Sequence, residues 1–240
     1  MALKRIEAVP LYQMVRERLI SQIEDGTWRP GVALPNEFQL GDQLGVSQGT
    51  VRKALNDLEN LGVIERKQGR GTFVKADTPE RSMFHFFRVS KPDGKRIAPE
   101  TLQIHVSERP ATRAECESFE INGPLRVVEI RRHRRFEDRP LAEETVVLRS
   151  DLFPGISEDS DLPNALYPFY QQQFHISILR AEEKLCAIAA DEGQAEALDV
   201  PPGAPLLKVE RRARDIRDRP VELRQSVFVT TDLTYDVELS

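Results

Sequence analysis

Residues 34–75 read LPNEFQLGDQLGVSQGTVRKALNDLENLGVIERKQGRGTFVK, and few folds accommodate that order of signals. Asn36 is a capping residue ahead of Leu40 and Leu44, and Gly45 supplies the turn that ends a short helix. Ser47 then caps a second helix, whose Val51, Ala54, Leu55 and Leu58 fall on one face. Gln48, Gly49, Arg52, Lys53 and Asn56 are left on the other face, and Gly62 closes the helix. Residues 63–66 and 71–74 alternate as two strands around the tip Lys67-Gln68-Gly69-Arg70. Helix, tight turn, helix and basic hairpin in that order predict a winged helix-turn-helix.

A helix ahead of this unit completes it. Leu11, Val15, Leu19 and Ile23 recur every fourth residue, so one stripe is expected to be buried, and Gly26, Pro30 and Gly31 stop the helix. Trp28, in that turn, reads as a packing anchor, with base stacking as the alternative. The 240-residue chain carries a net charge of −5, but unevenly. Residues 1–76 hold 11 Lys and Arg against 9 Asp and Glu, and the remainder 23 against 30. A locally basic module joined to an acidic one fits a nucleic-acid reader with a partner domain of other purpose. A helix that enters the major groove needs a polar, partly cationic face near its N-terminus. Ser47, Thr50 and Arg52 can bind phosphate there, and Gln48 can pair with a base edge. An ordinary solvated helix face is the competing reading, and the Gly-rich basic hairpin beside it favours DNA: the tip allows close backbone approach to a narrow groove, with Arg70 reaching in.

The motifs P-L-Y, PG-x-x-LP-x-E, GVS-x-x-TVR-x-AL-x-x-L and QGRGTFV, in fixed order over residues 10–75, resemble the GntR family of bacterial transcription regulators. The resemblance implies homodimers on short palindromic operators, with Ser47, Gln48, Thr50, Arg52, Gly69 and Arg70 as DNA-contacting positions. Two positions depart from the family pattern: Gln48 stands where Arg is usual, and Phe38 where Arg often follows the glutamate. Operator preference is therefore expected to differ from the family norm.

The rest of the chain contains a repeat at an offset of 80 residues. Gly123 to Arg134, followed by Asp138-Arg139-Pro140, lies over Gly203 to Arg214, followed by Asp218-Arg219-Pro220. Each copy follows a helix-like stretch (111–119, 191–198) and precedes a strand-like one (141–149, 221–229), with Asp-Arg-Pro as the hairpin turn between strands. Two such copies predict one antiparallel sheet with pseudo-twofold symmetry, helices on one side, and a ligand crevice between the copies. Asp93-Gly94 marks a further hairpin turn. This arrangement resembles the UTRA effector domain of HutC-type GntR regulators, which is similar in fold to chorismate lyase. The expected class is α+β: residues 1–76 as the winged helix-turn-helix, 77–82 as linker and 83–240 as the effector domain.

The resemblance implies a small effector, often anionic, such as a phosphosugar or urocanate. Arg132 and Arg134 stand two residues apart on one strand face and match the family's R-x-R; two converging guanidinium groups suit a carboxylate or phosphate. The competing reading is that they are solvated or paired with Glu143 and Glu144. Glu222 matches an acidic family position suited to a ligand hydroxyl or amine. Ala165 and Phe228 replace Ser and Tyr of phosphosugar-binding relatives, and Phe84-His85-Phe86-Phe87-Arg88 is unusually aromatic. A drier pocket is expected, for an anionic, carboxylate-bearing ligand with an apolar or flat body.

Other chemistry is poorly represented. Cys116 and Cys186 are read as reduced, buried small apolar residues. His85, His105, His133 and His175 lack metal-ligand spacing, His133 being placed on the strand face opposite Arg132 and Arg134. No nucleophile–base pair or phosphate loop is evident, so no catalysis, cofactor or metal is expected. The N-terminal MALKRIEAVPLYQ has no apolar signal core, and no apolar run reaches the roughly 18 residues of a membrane span, so a cytoplasmic protein without membrane contact is expected. The expected function is a DNA-binding regulator, acting as a repressor, that responds to a small anionic metabolite. The alternatives are a catalytically active lyase-like domain and a ligand-independent DNA-binding protein.

Overall fold

The computed structural model describes residues 9–80 and 87–237; Phe84, His85 and Phe86 of the aromatic run, and residues 81 and 82 of the expected linker, lie outside them. Helix α1 (Leu11–Glu24) buries Val15, Leu19, Ile20 and Ile23. Leu11 falls off the expected stripe and is exposed, because the helix starts there, beyond the edge of the core it packs on. The next helix, α2 (Glu37–Leu44), begins with a reciprocal capping box between Asn36 and Gln39 and ends on Gly45 in left-handed backbone. Ser47 caps α3 (Gln48–Asn60) by accepting the Thr50 amide at 3.2 Å. Strands β1 (Ile64–Lys67) and β2 (Gly71–Val74) pair as the antiparallel wing. One core unites these elements through Leu34, Leu40, Val51, Leu55, Leu58 and Val74, with Trp28 packed against it.

After the short strand β3 (Val89–Ser90) come β4 (Glu100–Pro110), α4 (Arg113–Ser118), β5 (Arg126–Phe136) and β6 (Arg139–Arg149). Helix α5 (Leu166–Phe174) precedes the same series again: β7 (Ile178–Ala189), α6 (Glu192–Leu198), β8 (Pro205–Asp215) and β9 (Pro220–Val229), closed by β10 (Thr234–Tyr235), which pairs with β3. The six long strands form one antiparallel sheet in the order β4-β5-β6-β9-β8-β7, which is the pseudo-twofold the repeat predicts. Both Asp-Arg-Pro sites are hairpin turns, with Asp138 and Asp218 at positive φ.

Three features differ from expectation. Helices cover both faces, not one: α5 packs on Val128, Ile130, Val146 and Leu148, whereas the α4 and α6 sides pack on Val127, Val147 and Val227. Alternate strand residues face opposite ways, and both alternations here are apolar, so both faces need a cover. Cys186 is exposed and Cys116 half-buried; Cys186 lies on β7, an edge strand most of whose residues are open to solvent. The sheet register also shifts the repeat by one residue. Arg132 sits opposite Glu144, and its spatial counterpart is Arg211 opposite Arg224. A one-residue slip reverses facing, so Arg212, the sequence counterpart of Arg132, pairs with Glu182 instead.

The hairpin tip between β8 and β9 reaches back to α1. Arg217 donates to Glu24 at 2.6 Å, to Glu17 at 3.0 Å and to Ser21 at 3.0 Å, and Arg219 donates to Glu24 at 2.8 Å. Ile216 joins the core of the N-terminal module. Gly26, at φ +76, lets His175 approach so closely that a Cβ there would meet its Nε2 at 2.9 Å. No described helix is long and apolar enough to cross a membrane.

Candidate functional site

Two surfaces draw the expected residues together. On the first, Ser47, Gln48 and Arg52 stand exposed and Thr50 half-buried at the start of α3, and Gly69 and Arg70 stand exposed at the wing tip. Ser47 Oγ and Thr50 Oγ1 are 2.8 Å apart, so the cap hydroxyls are held together at the positive end of the helix. Arg52 donates to Glu37 at 2.9 Å and Gln48 donates to the same carboxylate at 3.3 Å. The Arg52 hydrogen bond is the main influence that lowers the pKa of Glu37. Glu37 thus orients two groups of the α3 face, a role the sequence alone did not single out. Lys53 is held over the Tyr12 ring at 3.8 Å. Phe38 is 65% exposed, so the departure from the family pattern is presented on the surface.

The second surface is a cavity between the sheet and α5. It is walled by Arg132, Arg134 and Glu144 from β5 and β6, by Arg211, Arg224, Ser226 and Phe228 from β8 and β9, and by the start of α5. Its space is about 710 Å³ with the open mouth included. Period-two alternation brings Arg132 and Arg134 to the same face, as expected. They are neither solvated nor free: Arg132 pairs with Glu144 and donates to the Asn164 carbonyl at 3.2 Å. Arg134 donates to Asn164 Oδ1 at 3.0 Å, while its Nε has no hydrogen-bond partner among the described residues. Burial lowers the Arg134 pKa to about 10. For Glu144 burial opposes ionisation, yet Arg132, Arg224 and Arg134 together hold it well below the usual carboxylate range.

Ala165 and Phe228 both line the cavity, and Phe228 meets Phe87 edge-on at 6.1 Å. Ala165 is the N-cap of α5 and makes no side-chain cap, so the first-turn amides of α5 lack that partner at the cavity wall. Glu222 departs from its expected role. It is fully buried behind the wall, where Tyr167 and Tyr170 each donate to it at 2.9 Å and Arg224 donates at 2.8 Å. Its carboxylate is used up in positioning Tyr167 and Arg224, which do face the cavity. Glu144, Arg211 and Arg224 were missed; the signal for them was the same alternation applied to β6, β8 and β9, once the register is known. His133 lies on the other face, 38% exposed and 3.9 Å from Glu143.

Comparison with known proteins identifies both halves of the chain. Residues 11–74 match the family model described as bacterial regulatory proteins, gntR family, and residues 94–233 match the UTRA domain. The "Probable fructoselysine utilization operon transcriptional repressor" of Escherichia coli K12 is 30% identical over 233 residues, covering 95% of this chain and 94% of that protein. The mannosyl-D-glycerate transport/metabolism system repressor MngR of the same organism is 27% identical over 227 residues, covering 94% of each. The crystal structure of PhnF from Mycobacterium smegmatis shares the fold, with a TM-score of 0.55 at 22% identity over 94% of this chain and 99% of that one.

Proposed function

The chain belongs to the GntR family of bacterial regulatory proteins and carries a UTRA domain, and from that premise we propose a homodimeric transcriptional repressor whose α3 and wing read an operator and whose cavity takes a carboxylate-bearing metabolite. The carrying observation is the division of labour between two polar surfaces on one chain: an exposed cationic helix face with a basic wing, and a buried Arg-walled cavity. Ser47, Thr50 and Arg52 serve phosphates, Gln48 a base edge, and Gly69 and Arg70 the adjoining groove. Reading modules of this size need a twofold partner to cover a useful site.

An anion is favoured in the cavity by Arg132, Arg134, Arg211 and Arg224 around the uncapped start of α5. Ala165 and Phe228 withhold two hydroxyls, and the rest of the wall, Phe87, Leu166, Val209 and Tyr235, favours a partly apolar body. Fructoselysine and mannosylglycerate, for which two relatives are named, are both carboxylates. The cavity binds and does not turn over its ligand, so ligand is expected to be recovered intact after long incubation.

Selection of bound duplexes from a random double-stranded DNA library tests the reading. A palindromic consensus bound by a species of twice the 27.3 kDa chain mass is the expected result. Equal retention of all sequences would refute operator recognition, and a metabolite consumed on incubation would favour an enzyme.

A further inference from the structure

The start of α2 lies against the start of α3. A Cβ at Gly41 would meet the Val46 carbonyl oxygen at 2.9 Å and the Gln48 amide nitrogen at 3.7 Å, so the two helices touch where α3 begins. Glu37, at the first position of α2, accepts from Arg52 and Gln48 of α3 and lies 3.6 Å from Arg66 of the wing. Phe38 belongs to the same contact region: it follows Glu37 and shares a side of the helix with Gly41, three residues on. Helical side chains lean toward the N-terminus, which places the ring at the edge of the surface that carries Gln48 and Arg52.

Phe38 is 65% exposed, more than any other large hydrophobic side chain among the described residues. Solitary apolar residues on a surface are ordinary; what distinguishes this one is its place among Gln48, Arg52 and Arg66. A phenyl ring has no donor for a phosphate oxygen or for the acceptors of a guanine edge. The apolar group that a base presents in the major groove is the 5-methyl of thymine, and phenylalanine is among the side chains that pack on it. Apolar surface that is open to water in the free protein is then buried in the complex where that base is thymine, and left against a bare ring edge where it is not.

We propose that Phe38 is a specificity-determining residue: its ring packs on the 5-methyl group of a thymine in the major groove, within the half-site that Gln48 reads. This rests on α3 and the wing being the operator-reading surface. It adds to α3 a second reader, on α2, that selects one base by its apolar edge and not by a hydrogen bond.

The test uses the full chain and the duplex selected from the random library. Each thymine of the half-site is replaced in turn by deoxyuridine, which lacks only the methyl. Dissociation constants are read by fluorescence anisotropy for the parent and for Phe38→Ala. One exchange is expected to weaken binding to the parent about fourfold, the worth of one buried methyl, and roughly fifteenfold when made in both half-sites. The same exchange should leave Phe38→Ala unaffected. Because Phe38 is exposed, the variant is expected to keep its Tm within about 2 °C. A parent indifferent to every exchange, or a Phe38→Ala as sensitive as the parent to the same exchange, overturns the proposal and leaves the operator reading in place. A selection that enriches no sequence overturns the operator reading, and this proposal with it.

Discussion

Replacing Glu144 by Gln removes the one acidic group among the described residues of the cavity wall while keeping its volume. Glu144 accepts from Arg132 and Ser226 and lies 3.4 Å from Arg224, all buried or nearly so. Taking one partner from a buried ion pair costs about 3–5 kcal/mol, because the remaining charge keeps its desolvation penalty without its counter-charge. Gln retains one acceptor for Arg132, so the lower end, about 3 kcal/mol, is expected. For a domain of this size each kcal/mol shifts Tm by roughly 2–4 °C, giving a fall of roughly 6–12 °C at pH 7. The sign with pH follows from the folded pKa, which lies below the 4.5 of the free carboxyl. The stabilisation from ionised Glu144 is present above pH 4.5 and lost as pH falls toward the folded value. Calorimetry at pH 7 and pH 4 should show the gap between parent and variant narrowing in acid. Added phosphate should raise Tm more in the variant, which has an uncompensated guanidinium cluster. A gap under about 2 °C at pH 7, or one that widens in acid, would refute the reasoning.

Asp77 supplies a second pH effect of opposite sign: burial raises its pKa from 3.8 to about 6. The folded chain holds this proton more tightly than the unfolded one, so stability falls as pH rises from 3.8 to 6. Asp77→Asn should therefore stabilise the protein at pH 7 by up to about 3 kcal/mol, read by urea denaturation. Arg52→Ala should lower the salt dependence of binding to a selected duplex by about one unit, read by fluorescence anisotropy; Glu37→Gln, which frees Arg52 and Gln48, should tighten binding. Gln48→Ala should flatten the selected consensus more than it weakens binding to random DNA. Glu24→Ala breaks partly exposed pairs with Arg217 and Arg219, so global stability should change by less than about 1 kcal/mol, while the two halves unfold over separate temperature ranges in place of one.

The N-terminal module was legible because its signals are local. Asn36, Gly45, Ser47 and Gly62 act within a turn of where they stand, and Val51, Ala54, Leu55 and Leu58 need only helical spacing to share a face. The repeat likewise revealed the two central hairpins and their pseudo-twofold, but not the edge strands β4 and β7, which precede the repeated segment in each copy. What it concealed was the register: a shift of one residue between copies places Arg211, not Arg212, in the cavity, and no periodicity reveals a slip that depends on cross-strand pairing. Glu222 was misplaced for a related reason. Its strand face could be read from alternation, but the cover of Tyr167 and Tyr170 that buries it comes from a helix more than 50 residues away. The tie between the linker and α5 is not legible in the sequence because Lys75 and Asp77 sit where no period runs, and their partner Gln171 is fixed only by tertiary packing.

The central claim is that an anion in the Arg-walled cavity governs DNA binding at a distance. Its most direct test is the dissociation constant for the selected duplex, measured by anisotropy across a panel of sugar acids and sugar phosphates, in the parent and in Arg134→Gln. At least one sugar acid is expected to change the constant by about 5- to 150-fold, and Arg134→Gln is expected to bind DNA normally without ligand but to lose the response. A constant indifferent to every anion that raises Tm, or a response that survives the loss of Arg134, would contradict it.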